Sequence, residues 1–212
     1  IMSSDWSSDV CSSDLINPNT RTCPIFRSRR DAKITGFVHN RWPVLVEAGA
    51  SNGDPWNLQF TTVFHMSNDS ILFRFADALA SDDFTRSGNN WHGRGDYYVP
   101  LYEQNMIHFY DHLFASFSDS AGNLSADTSR YVVPVEHGDA ALIAMPRYWV
   151  PQSELASRWQ QKKLSRSWAF AFRQSARSVD SRTGIFCVIP QVGCGHSIHV
   201  VESKLQDHRQ SS

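Results

Sequence analysis

Apolar positions along this chain follow two periods. Behind Ser153, Leu155 and Trp159 stand four apart, which predicts a helix capped by Ser153 and running to about Lys163. A second helix is expected over 28–40, with Ser28 as N-cap and Ile34, Phe37 and Val38 sharing an inward face. Helical spacing recurs over 67–79, with Ile71, Leu72 and Phe75 inward, and over 101–110, with apolar residues at 102, 106, 107 and 110. Period two marks Trp168, Phe170 and Phe172 as a half-buried strand. Alternation over 57–64, a short run at 43–46 and the stretch 141–150 closed by Pro151 predict further strands. The continuous apolar run 184–189 predicts a strand covered on both faces. Polar stretches at 81–96 and 118–129 are expected to be loops. No internal repeat is visible. The sum is an α+β fold, a mixed sheet with a few packed helices.

Composition fits a folded domain: 41% of the 212 residues are hydrophobic, including seven Trp and thirteen Phe. The net charge of −1 gives no global basic field, but the charges are segregated. Arg21, Arg27, Arg29, Arg30, Lys33 and Arg41 face a single acid, Asp31, between 21 and 41. Arg158, Lys162, Lys163, Arg166, Arg173, Arg177 and Arg182 face only Asp180 between 158 and 182. Two such stretches could form a phosphate-facing surface, or could be solvated helix faces. No apolar run reaches the length of a membrane span, so a cytoplasmic protein is expected. Cys23, Cys187 and Cys194 lack CxxC spacing, which argues for reduced thiols, with Cys187 as core filler.

Residues 1–15 have a different character. Asp9-Val10-Cys11-Ser12-Ser13-Asp14-Leu15 back-translates as GAC GTG TGC TCT TCC GAT CTN, which resembles the end of a sequencing-library adapter. Ser7-Ser8-Asp9 and Ser3-Ser4-Asp5 repeat the same reading. This leader is expected to be a disordered artefact, excluded from fold reasoning. The authentic chain then starts near Ile16 in mid-gene, as a fragment of a larger multidomain protein.

Five stretches carry a family resemblance: 17–32 (NPNTRTCPIFRSRRDA), 101–112 (LYEQNMIHFYDH), 145–151 (MPRYWVP), 172–177 (FRQSAR) and 182–190 (RTGIFCVIP). In order and spacing they resemble the multidomain N6-adenine DNA methyltransferases of restriction-modification and phage-defence systems, the type IIG-like enzymes and those of BREX or DISARM type. The matching region lies after the catalytic core and leads into target recognition. Two positions depart from the pattern: Asn105 stands where the family has Lys, and Leu113 where it has Arg. Both changes remove a cation. The polar tail 200–212 is unlike the expected continuation, so 16–199 is taken as the post-catalytic and recognition segment.

The resemblance implies a parent enzyme that transfers a methyl group from S-adenosylmethionine to a flipped adenine. This stretch has neither the Gly-rich cofactor turn nor the Asn/Asp-Pro-Pro-Tyr/Phe motif. Asn17-Pro18-Asn19-Thr20 lacks the stacking aromatic, and Gly193-Cys194-Gly195 lacks a strand-to-helix setting. The chain alone is therefore expected to be catalytically inactive and to bind no S-adenosylmethionine itself. Its expected partners are double-stranded DNA, the missing N-terminal methyltransferase core and further defence-system subunits.

A recognition segment needs cations for phosphates and planar donors for base edges. The candidates are Arg27, Arg29, Arg30, Arg147, Arg173, Arg177 and Arg182; Arg27, Arg29 and Arg30 lead into a helix, and Arg173, Arg177 and Arg182 are the favoured DNA contacts. Trp149, Trp159 and Trp168 are assigned to the core. His108 and His112, i and i+4 beside Asp111, have the spacing of paired helix ligands but lack the general base of an HExxH site. They are read as a structural pair. Two rival functions remain: a non-enzymatic DNA-binding or scaffold subunit of a defence complex, and a metal-dependent hydrolase using His108, Asp111 and His112.

Overall fold

The computed structural model describes residues 13–22, 24–26, 28–118, 124, 129–132, 136–177, 180 and 184–203. The chain divides into two compact units, one comprising 1–58 with 203–212, the other 59–202.

In the first unit, one helical turn, α1 (Ser13–Ile16), straddles the boundary drawn at residue 15 and lies beside α2 (Arg29–Arg41). Ser28 caps α2 as expected: its backbone is extended and its hydroxyl accepts from the Asp31 N–H at 3.2 Å. Asp31 in the first turn and His39 and Arg41 in the last complement the helix dipole. The expected inward face is wrong, because Ile34, Phe37 and Val38 are exposed and Ala32 is the buried residue. The strand expected at 43–46 is absent because its backbone groups are claimed locally. Asn19 Nδ2 donates to the Val46 carbonyl at 2.8 Å, and Trp56 Nε1 donates to the Pro43 carbonyl at 3.3 Å.

The second unit carries the main core. A four-stranded sheet runs in the order β1 (Leu58–Thr61), β11 (Ile198–Ser203), β8 (Trp168–Arg173), β9 (Phe186–Pro190). A mixed sheet runs β10 (Gly193–Cys194), β4 (Asp96–Tyr102), β3 (Asn90–Gly93), β2 (Thr85–Ser87), with β7 (Tyr148–Pro151) also on β4. Here β10 pairs parallel to β4 and the other partners antiparallel. A short ladder joins β5 (Ala115–Ser116) to β6 (Arg130–Tyr131). The helix α4 (Gln152–Gln161) follows β7 directly and buries Leu155 and Trp159 against the core, as their spacing predicts. Pro151 occupies its N-cap, so Ser153 lies inside the first turn and caps nothing. The fold is α+β, with a mixed sheet.

Several other expectations give way to β-structure. The polar stretch 81–96 is a meander, not a loop. Its two-residue turns are Gly88-Asn89, with Gly88 at φ +63°, and Arg94-Gly95, both at positive φ. The helix expected over 101–110 is instead the end of β4, a 3₁₀ turn at Gln104–Met106 and a tight turn. That over 67–79 is broken: Ser70–Leu72 is a 3₁₀ turn, Arg74 bridges Trp149 through two 2.9 Å backbone bonds, and only α3 (Ala76–Ser81) is helical. Ile71 there is 89% exposed. The strands expected at 57–64 and 141–150 shorten to β1 and β7. Much of the expected loop 118–129 lies outside the described residues.

Candidate nucleic-acid interface

On a helix of about 100° per residue, Arg29, Arg30, Lys33 and Arg41 fall within an arc of about 120° on α2. All four are exposed, and Asn40 and Phe37 share the arc. Asp31 points outside it, and the buried Ala32 lies on the opposite flank. The local sequence produces this because Ser28 sets the helix start and the side that carries Ala32 is the buried one, which leaves the cations outward. Arg27 precedes the cap and lies outside the described residues.

The remaining candidates are in the second unit. Arg147 is engaged within the fold: its Nε lies 3.4 Å from Glu103 Oε1, and its guanidinium stacks over Phe117 at 4.8 Å and Tyr148 at 5.7 Å. Burial pushes the Glu103 carboxyl above its usual range, partly offset by the Arg147 charge. Arg173 and Arg177 are brought together around Asp180. Arg177 donates its backbone N–H to Asp180 Oδ2 at 2.8 Å and sits 3.3 Å from Oδ1 through its guanidinium. That backbone bond first, then the charges of Arg177 and Arg173, hold the Asp180 carboxyl low. Arg177 stays exposed, whereas Arg173 at the end of β8 is half-buried. Arg182 lies outside the described residues.

The histidines are not on a helix. His108 and Asp111 close a tight turn through N–H···O bonds of 2.6 and 3.0 Å, with Tyr110 at φ +62°. His108 stacks on Phe114 at 4.4 Å, and His137 Nε2 sits 3.6 Å from Asp111 Oδ2. Burial pushes the His112 imidazole below its usual pKa. Among the described residues no group of three or more His, Cys, Asp or Glu is placed to hold a metal ion.

Gly193 serves packing. A Cβ there would meet Leu101 Cδ1 and Val150 Cγ2 at 3.0 Å and the Pro100 carbonyl oxygen at 3.1 Å. It lies in β10, which leads to β11 rather than to a helix, so this stretch is not the strand-to-helix turn of a dinucleotide fingerprint. Cys187 and Cys194 are buried free thiols, and burial pushes Cys187 up to about 12. No helix among the described residues is long and apolar enough to cross a membrane.

Trp149 and Trp159 are core residues, but Trp168 is not: it is 43% exposed. On β8 the inward positions are Ala169 and Ala171, and the aromatics Trp168 and Phe170 point out. The alternation was legible, but the assignment of the larger side chains to the core was not correct here. Comparison with protein-family models, curated proteins and solved structures finds no match to this chain.

Proposed function

We propose that this chain is the DNA-contacting, target-recognition part of a site-specific adenine-N6 DNA methyltransferase of a restriction-modification or phage-defence system. Its parent would use S-adenosylmethionine through a catalytic core, and defence-system subunits are further proposed partners. The observation that carries the reading is the one-sided cationic arc of α2. A helix fits the major groove, and lysines and arginines on one side of it meet phosphates while leaving planar donors for base edges. At 1.5 Å per residue the 13-residue helix is about 20 Å long, enough to follow the groove across several base pairs. Arg29, Arg30, Lys33 and Arg41 are the backbone contacts in this reading, and Asn40, a residue type that pairs with adenine edges, is the base reader. Arg177 is a secondary phosphate contact, weakened by its tie to Asp180. The five ordered sequence stretches supply the enzyme class.

The test is equilibrium binding of the full chain to fluorescein-labelled duplex DNA by anisotropy. Wild type is expected to bind, and the triple substitution Arg30→Ala, Lys33→Ala, Arg41→Ala to lose most of that affinity with unchanged circular dichroism. Equal binding by the folded triple variant would remove α2 from the interface.

A further inference from the structure

The open face of the four-stranded sheet is rich in rings. In a sheet with one face in the core, the large apolar side chains ordinarily point inward, yet β8 turns Ala169 and Ala171 to the core and Trp168 and Phe170 to solvent. Across the strands Phe170, Phe186, Phe172 and His199 form a continuous row. Successive centroids are 5.4 Å apart, with interplanar angles of 12°, 27° and 25°. Phe60 meets Phe172 edge-on at 5.5 Å from β1, and Trp168 lies beyond Phe170 along β8. Phe60 and Trp168 are each 43% exposed, so the row is flanked by ring surface open to solvent.

Charge around this face is one-sided. By strand alternation the Glu202 carboxylate falls on the opposite side of β11, in phase with buried Ile198 and Val200. At the Trp168 end the exposed Arg166 holds its guanidinium 4.8 Å above the indole. The face thus offers planar π surface, a cation beside Trp168 and no carboxylate among the ring-bearing positions. Aliphatic side chains share the face, with Val188 (51% exposed) beside Phe170 on β9 and Val201 beside it on β11, but six of its side chains are rings. Unpaired nucleobases complement the rings, and one of the phosphates that join them complements Arg166.

We propose that the aromatic face of the β1-β11-β8-β9 sheet binds single-stranded nucleic acid by stacking unpaired bases, with Arg166 as a phosphate contact. This is a site separate from the duplex-binding arc on α2 and does not depend on it. The probe is a fluorescein-labelled oligodeoxythymidylate 12-mer, read by anisotropy with the full chain. Trp168→Leu and Phe170→Leu keep apolar bulk while removing rings. Each is expected to weaken binding by about five- to 150-fold, the range of a lost base–ring stack. Arg166→Gln is expected to lower the salt slope by about 0.7, the value for one phosphate on a single strand. Photo-crosslinking of the bound oligomer maps the contact and is expected to label the peptide containing Trp168. Failure of the 12-mer to bind overturns the proposal, as does binding unchanged in both folded leucine variants. Concentration-dependent self-association in sedimentation that both variants abolish, with no oligomer binding, would instead assign the face to a second copy of the chain. Duplex binding lost only on α2 substitution, with 12-mer binding intact, would leave the two sites distinct.

Discussion

Arg158 is densely engaged in the second unit. Its guanidinium donates to both oxygens of Asp69 at 2.8 and 2.9 Å and to the Val63 carbonyl at 3.1 Å, while lying 4.4 Å over the Phe64 ring. Its hydrogen bonds are the main reason the Asp69 carboxyl sits below its usual pKa, against the opposing effect of burial. Depressed in the folded state, that carboxyl contributes stability that is present above the unfolded value near 3.8 and lost as the pH falls through the lower folded value. Arg158→Ala is expected to cost about 1–2 kcal/mol at neutral pH, the range for a partly exposed charge-assisted bond. The deficit should shrink as the pH is lowered below 3.8, measured by urea unfolding across pH. A deficit constant with pH would mean the loss is one of packing over Phe64 rather than of the pair. The thiols give a second residue-scale expectation. With its pKa near 12, Cys187 should have about one ten-thousandth of its population as thiolate at pH 8. Iodoacetamide should label Cys187 and Cys194 peptides in guanidinium and hardly at all in the native protein. Rapid native labelling would contradict their burial.

At the scale of elements, α2 and α4 show what periodicity can and cannot convey. Both helices were legible from their spacing, and Ser28 from its place three residues before Asp31. The buried side of α2 was not, since its buried residue is Ala32, a small side chain that no hydrophobic pattern marks. The β2-β3-β4 meander was hidden for a related reason. Its strands are three, four and seven residues long, and Gly, Asn and Asp needed by the turns dominate the composition. On β8 the period was plain, but period alone cannot say which side faces inward when alanines alternate with aromatics. Two substitutions test the element-level account. Ser28→Ala should cost about 1 kcal/mol and raise amide exchange in the first turn of α2, because the Asp31 N–H loses its acceptor. Gly193→Ala should destabilise by about 1–3 kcal/mol, because the added methyl meets Leu101, Val150 and the Pro100 backbone where β10 pairs with β4. Wild-type melting of the alanine variant would mean β10 can shift away from β4.

At the scale of the whole molecule, an almost neutral chain carries its cations unevenly. That segregation was readable from the sequence, but which cations remain at the surface was not. Arg147 and Arg158 are drawn into partners and rings, Arg177 is tied to Asp180, and Arg30, Lys33 and Arg41 on α2 are exposed. Of the aromatic face only the alternation of Trp168, Phe170 and Phe172 was legible, since its rings come from four strands separated by up to 139 positions in the chain, Phe60 to His199. The most direct test of duplex recognition by α2 is the salt dependence of DNA association, measured on wild type and on the Arg30→Ala, Lys33→Ala, Arg41→Ala variant. Each phosphate contact contributes about 0.9 to the slope of log K against log salt, so the variant slope should be shallower by about 2.7. A wild-type association constant insensitive to salt, or a variant slope equal to that of wild type, would contradict DNA recognition through this helix.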